Sequence, residues 1–277
     1  MRDLAVCYRI YPGLSKNAAF LGLDKLKMSQ MCLDSFRRAC DGLRVKIWVL
    51  LDKCPPEYEA LFHATFSEDE LEIISLNGEG NYATFSRQID ILTQQTEAEY
   101  VVFVEDDYFF LPGALGKMLD FMKDNPEVDF VTPYDNPDCY FAPNQPARQW
   151  LKPYGDRYWH TTVSTCLTFL TSRSNLLRTH STFRSFSRGN WDCALWQSLT
   201  QKCELANLRL QWRSPFNIMR WIKTWRWGLR TILFGRRYRL WAPMPTLATH
   251  LEASYLSPLI DWPAIFACRQ QESDVSK

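Results

Sequence analysis

The chain has 277 residues, of which 46 % are apolar, 23 % charged and 14 % aromatic, enough to bury a sizeable core and to exclude a disordered or fibrous protein. Its 32 basic and 31 acidic residues give a formal charge of +1, which removes the simplest argument for a nucleic-acid binder. The charge is unevenly placed: nine Lys or Arg and no Asp or Glu fall between Leu205 and Leu251, which leaves the rest of the chain at −8.

In chain order, short apolar runs predict strands over Leu4 to Ile10, Val45 to Leu51, Leu71 to Leu76, Tyr100 to Val104 and Asp129 to Thr132. Helix-period segments between them cover Leu23 to Cys40, Glu57 to Phe66, Ala83 to Thr96 and Gly113 to Lys123. The alternation predicts an α/β layered fold with right-handed crossovers and a mostly parallel central sheet, which binds ligands beyond the carboxyl ends of its strands. Downstream come a Pro, Asn and Asp cluster from Pro133 to Pro146, a β-rich run around Trp159 to Thr171 and a helix starting near Asn190. A basic aromatic segment and a polar tail expected to be disordered follow.

Nine cysteines stand singly, with no C-x-x-C pair, which fits neither a disulfide framework nor a zinc site; reduced core thiols are expected. The first residues lack the apolar run of a signal peptide and no stretch of about 18 apolar residues occurs, so a cytosolic protein is expected.

The most informative stretch is Val101-Val102-Phe103-Val104-Glu105-Asp106-Asp107, in which an apolar strand runs into three carboxylates. Adjacent like charges repel, and a cation or hydrogen-bond donors must compensate them. Hard oxygen ligands at a strand end suit Mg²⁺ or Mn²⁺ shared with phosphates. A solvated acidic turn is the bland alternative. A P-loop NTPase is disfavoured because no G-x-x-x-x-G-K-[ST] occurs, and a nicotinamide dehydrogenase because no G-x-G-x-x-G follows the first strand.

A first strand running into Tyr8-Arg9-Ile10-Tyr11-Pro12, a second ending in Asp52 and a fourth ending in Glu105-Asp106-Asp107 together resemble a nucleotide-sugar-dependent glycosyltransferase of the GT-A type, related to family 2, over about residues 3 to 200. The resemblance implies a GT-A (Rossmann-like) fold with a C-terminal acceptor or lid region, and a donor bound with Mn²⁺ or Mg²⁺ at the acidic motif, usually written D-x-D. By position, Asp107 is then the direct metal ligand, Asp106 the ribose contact and Glu105 a sugar or supporting contact, although Glu stands where the motif has its first Asp. The same resemblance implies that Tyr8, Arg9 and Tyr11 after the first strand and Asp52 after the second hold the nucleotide, and that Gly80-Asn81 belongs to another pocket loop. Strand-end packing is the equal alternative for Tyr8 and Tyr11.

An inverting transferase needs a general base for the acceptor hydroxyl. Gly189-Asn190-Trp191-Asp192 looks like the family's base-bearing helix start, which makes Asp192 the catalytic candidate; an ordinary first-turn carboxylate is the alternative. His250, ahead of Glu252, resembles the third metal ligand of many GT-A enzymes, with a buried structural His as the equal alternative, while His63, His160 and His180 receive no role.

Between Ile218 and Arg237, apolar residues including Trp221 and Trp225 recur at helical spacing beside Arg220, Lys223, Arg226 and Arg230. That pattern suits a helix lying on an anionic membrane surface, at the inner face of the membrane for a cytosolic protein. A core-packed helix, or Arg residues gripping the donor diphosphate, are the alternatives.

The expected protein is one domain over residues 1–268, with a nucleotide-sugar half (1–132), an acceptor half (133–268) containing the basic segment 209–239, and a tail at 269–277. The expected reaction moves a sugar from a nucleoside diphosphate sugar to a hydroxyl of a glycan or lipid-linked glycan, with no nucleic-acid partner. A nucleotidyltransferase, or a non-catalytic membrane- or carbohydrate-binding protein, stays open as an alternative.

Overall fold

The structure, a computed structural model, describes residues 1–13, 24–141, 149–201 and 214–267. The expected tail at 269–277 and the start of the basic segment at 209–213 lie outside the described residues, as do the side chain of Cys139 and residues Cys203 and Cys268.

Strands β1 (Leu4–Ile10), β2 (Val45–Asp52), β3 (Leu71–Leu76) and β4 (Tyr100–Glu105) form a parallel nucleus in the order β3-β2-β1-β4. Helices α1 (Lys25–Ala39), α2 (Pro56–Thr65) and α3 (Gly80–Gln94) supply the crossovers. The remaining strands are β6 (Phe130–Val131), β7 (Leu151–Tyr154), β8 (Arg157–Thr162), β9 (Phe169–Ser172) and β10 (Leu240–Met244). They extend the sheet through antiparallel pairings and one parallel pair, β6 with β10, to a nine-stranded order ending β4-β9-β6-β10-β8-β7. A separate two-stranded sheet joins β5 (Tyr108–Phe110) to β11 (Ala248–His250) in antiparallel register. The fold is therefore α/β, parallel in its nucleus, as expected.

Strand β1 is buried throughout because both of its faces are covered. Leu4, Val6, Tyr8 and Ile10 enter the core beneath α1, α2 and α4 (Ala114–Asp124), while Ala5 and Cys7 enter the core beneath α3, α6 (Arg173–Phe186) and α7 (Asp192–Thr200). In the second core Phe103 stacks on Phe169 at 4.6 Å between ring centroids, with Phe183 6.3 Å away. Truncating a ring buried this way costs about 3–5 kcal/mol.

Helix α6 is absent from the sequence reading. Its residues Arg-Ser-Asn-Leu-Leu-Arg-Thr-His-Ser-Thr include many poor helix formers, but Ser172 caps it, its hydroxyl accepting from Asn175 N at 3.1 Å. Leu176, Thr179, Phe183 and Phe186 then fall on one buried face, so packing overrides propensity. Strands β7, β10 and β11 were also unforeseen, being short and interrupted by Pro or Thr.

The expected basic helix exists as α8 (Pro215–Phe234) and follows the short α5 (Asp138–Phe141) and α7 in chain order. It packs on α7 through Thr224 and Gly228, its buried positions. No helix among the described residues is long and apolar enough to cross a membrane. Cys7, Cys32 and Cys40 are buried and Cys54, Cys166 and Cys193 partly so, all as free thiols, which agrees with the expected core role.

Candidate active site

The carboxyl ends of β1, β2 and β4, the first turns of α1 and α3 and the residues around β11 enclose a cavity of about 390 Å³. It lies where a parallel sheet places its ligands. Among its lining residues are Arg9, Lys25, Asp52, Asn81, Glu105 and Asp107.

Each carboxylate of the acidic strand end meets a cation from a different element. Arg9, at the end of β1, places Nη2 2.5 Å from Glu105 Oε1, and its Nη1 donates to Asn81 Oδ1 and, at 3.0 Å, to the Asn81 carbonyl. Glu105 Oε2 accepts from Leu167 N at 2.9 Å, so both of its oxygens are held. Lys25, the first residue of α1, puts Nζ 2.6 Å from Asp106 Oδ2. His250 Nε2, on β11, lies 3.1 Å from Asp107 Oδ2.

The electrostatics follow from burial set against these partners. Burial pushes the Asp106 carboxyl up, to about 6, against the pull of Lys25. Burial also opposes ionisation of Asp107, but the His250 imidazolium outweighs it and holds that carboxyl at about 2. Burial disfavours the charged His250, yet Asp107 raises it to about 9, so the ring donates to Asp107 until a bound cation displaces its proton.

Asp107 Oδ1 and His250 Nδ1 are buried and make no hydrogen bond, although Glu252 Oε2 lies 3.9 Å from that ring nitrogen. Such an orphaned carboxylate oxygen beside an imidazole is a donor set that a divalent cation accepts. Among the described residues no three His, Cys, Asp or Glu side chains converge as a closed cage would. A cation here would therefore share its shell with ligand oxygens.

Asp52 borders the cavity but is only 2 % exposed, and its oxygens accept from Gly78 N at 2.7 Å, Glu79 N at 2.8 Å and Gly80 N at 2.8 Å. Its carboxylate thus holds the turn from β3 into α3, where Gly78 and Gly80 adopt positive φ. Tyr11 is 54 % exposed and borders the cavity. Its ring lies over Gly13, where a Cβ would run into it.

The expectation for Tyr8 needs correction. Its ring is 1 % exposed and packs edge-to-face on Phe36 at 5.4 Å and Phe62 at 5.3 Å, so it cannot stack on a nucleotide. Strand alternation is the reason, since it turns Tyr8 into the α1/α2 core and Arg9 toward α3.

Asp192 opens α7 outside the cavity lining, and its Oδ1 accepts from Cys193 N at 2.6 Å. Burial raises its carboxyl, with Glu105 adding to the rise. Three features escaped the sequence reading. Lys25 is the first: a cation at a helix start opposes the macrodipole, and that mismatch is the only local signal of an anionic partner. The Leu167 amide gives no signal at all. The third is a buried knot in which His160 Nε2 lies 3.0 Å from Asp135 Oδ1 and Tyr140 donates to Asp135 Oδ2 at 2.7 Å.

Fold and site together define an α/β protein with a charged cavity at the carboxyl edge of its parallel strands. The chain belongs to glycosyl transferase family 2, whose model matches residues 27–187. No curated protein matches it. Among solved structures it is similar to S. aureus TarS in complex with UDP-GlcNAc, at 14 % identity over 65 % of this chain and 48 % of that one, with a TM-score of 0.42. It is also similar to glucosyl-3-phosphoglycerate synthase from Mycobacterium tuberculosis in complex with Mg²⁺ and UDP, at 15 % identity over 64 % of this chain and 58 % of that one, with a TM-score of 0.38. A third similar structure is 4-diphosphocytidyl-2C-methyl-D-erythritol synthase from Anaerococcus prevotii, at 8 % identity over 71 % and 83 % of the two chains, with a TM-score of 0.42. The chain thus spans about half the length of the first of these structures.

Proposed function

We propose that the protein transfers a sugar from a nucleoside diphosphate sugar to a hydroxyl of a glycan or lipid-linked glycan, with inversion, and that residues 1–268 act as one domain. The observation that carries this reading is the convergence of Glu105, Asp106, Asp107, Arg9, Lys25 and His250 on one cavity in a chain of this family. Asp107 and His250 are the residues that would hold Mn²⁺ or Mg²⁺, which neutralises charge on a leaving diphosphate when bound.

The chain's own groups divide the remaining work. Arg9 and Lys25 bring positive charge to where a diphosphate lies, and Asp106 faces the ribose. Tyr11 offers an exposed ring to the base. Asp52 acts indirectly, by fixing the turn that presents Gly80 and Asn81. Glu105, pinned by Arg9 and Leu167 N, sets the position of both neighbours. Asp192 accepts the proton of the acceptor hydroxyl, and its burial makes the carboxylate a stronger base than an exposed one.

The test is thermal melting with a panel of UDP- and GDP-sugars, with and without Mn²⁺, on the natural chain and on Asp107→Asn. A bound donor raises the melting temperature by mass action. The reading expects a Mn²⁺-dependent rise that the variant loses. A rise with unchanged metal dependence in Asp107→Asn would overturn the metal assignment, and no rise with any nucleotide would overturn the donor site.

A further inference from the structure

Helix α8 presents to solvent the face that a membrane-surface helix needs. Thr224 and Gly228 fix which side packs on α7. The opposite side carries Met219, Ile222, Leu229 and Leu233, spaced at i, i+3, i+10 and i+14 and each between 43 and 55 % exposed. Arg226 occupies the gap at i+7 and Arg230 flanks the stripe. Among the described residues neither Arg forms an ion pair; Arg226 rests only on the ring of Trp227, at 5.6 Å. The apolar side chains foreseen by periodicity divide differently, with Ile218, Trp221, Trp225 and Ile232 half-buried on the flank.

We propose that this outward face docks on an anionic lipid surface, with the apolar residues entering the interface and Arg226 and Arg230 meeting lipid phosphates. Charge complementarity selects this occupant. The stretch from Pro215 to Leu251 holds seven Lys or Arg and no acid, so two copies packed face to face by a twofold axis would set cation against cation. An anionic bilayer is attracted to the same array, and the exposed apolar residues gain by leaving water.

The docking face is tied to the candidate base. Phe216 of α8 stacks on Trp191 at 5.1 Å between centroids, Lys223 Nζ lies 5.2 Å from the Trp191 ring centre and donates to the Gly189 carbonyl, and Trp191 immediately precedes Asp192. A surface held by α8 is therefore held close to Asp192, where a lipid-linked acceptor is presented. That acceptor role rests on the function proposed above; the docking itself does not.

The experiment is flotation of the full chain with phosphatidylcholine vesicles and with vesicles also containing phosphatidylglycerol, at low and high salt. Arg226→Glu/Arg230→Glu and Leu229→Ser/Leu233→Ser are compared with the natural chain. The natural chain is expected to float only with the anionic vesicles and to be released by salt. Each double variant is expected to lose at least about tenfold in partitioning, a scale set by two basic contacts in one and by two apolar side chains in the other, while keeping its melting temperature. Equal flotation of natural chain and variants, or no flotation of the natural chain, overturns the proposal. A dimer in size-exclusion chromatography that Leu229→Ser/Leu233→Ser abolishes, without vesicle binding, would overturn it by assigning the face to a second copy. Flotation that persists while no nucleotide stabilises the chain upholds the docking and overturns the donor-site reading instead.

Discussion

Nζ of Lys25 lies 2.6 Å from Oδ2 of Asp106, so the first residue of α1 neutralises the middle one of three consecutive carboxylates. Its neighbours Glu105 and Asp107 are neutralised from β1 and β11 by Arg9 and His250. Three elements distant from β4 in sequence thus stabilise a charge density that β4 could not hold alone.

Removing one partner leaves a largely buried charge uncompensated, which costs more than the pair contributes. Lys25→Met is expected to lower stability by about 2–3 kcal/mol, and adding Asp106→Asn to recover more than half of that loss. Urea denaturation of both single variants and the double variant measures the coupling. Additive losses would show that the two charges do not sense each other.

Asp52→Asn replaces one acceptor oxygen by an amide that points hydrogens at backbone N–H groups. The expected cost is about 2–4 kcal/mol, because three bonds to a buried carboxylate are disturbed. Amide hydrogen exchange at Gly78, Glu79 and Gly80 should accelerate more than elsewhere, and donor affinity should fall with it. Unchanged exchange at these positions would remove Asp52 from its anchoring role.

Asp192→Asn keeps the shape of the α7 start and removes the basic oxygen. Turnover is expected to fall by about a hundredfold or more, with nucleotide-induced stabilisation nearly unchanged. Near-normal turnover would leave Asp192 as an ordinary charge at a helix start.

At Gly228 a Cβ would run into Ser198 Oγ, so glycine is what lets α8 approach α7 closely. Gly228→Ala is expected to destabilise by about 1–3 kcal/mol, the range for overpacking, and Ser198→Gly in the same chain to relieve part of the loss. A stability equal to that of the natural chain would show that the helices can separate freely.

The parallel nucleus was legible because its strands are apolar runs broken by helix-period segments, and the acidic site because three carboxylates interrupt such a run at Val104. The counter-ions were less so. Arg9 lies at the end of the first strand and is foreseen as a pocket residue, but its pairing with Glu105 is a register relation between β1 and β4. Lys25 and the Leu167 amide reach the site only through tertiary placement. Packing and nucleotide contact stay equal readings of Tyr8 in the sequence because an alternating strand sends neighbouring residues to opposite layers, and which layer holds the cavity is not a local property. Helix α6 was missed because its Ser and Thr residues weaken the helical signal that Leu176 and Phe183 provide.

Among the described residues strand β5 pairs only with β11, some 140 residues later, and the same pairing carries His250 to Asp107. During synthesis the acidic strand end leaves the ribosome long before its histidine does. Until Ala248 to His250 emerge, Tyr108 to Phe110 lack their ladder partner and Asp107 lacks its counter-charge. The nucleus can assemble early, but the charged cavity matures only once β11 has emerged, so a nascent chain halted before Thr246 should fold its core without acquiring the finished site.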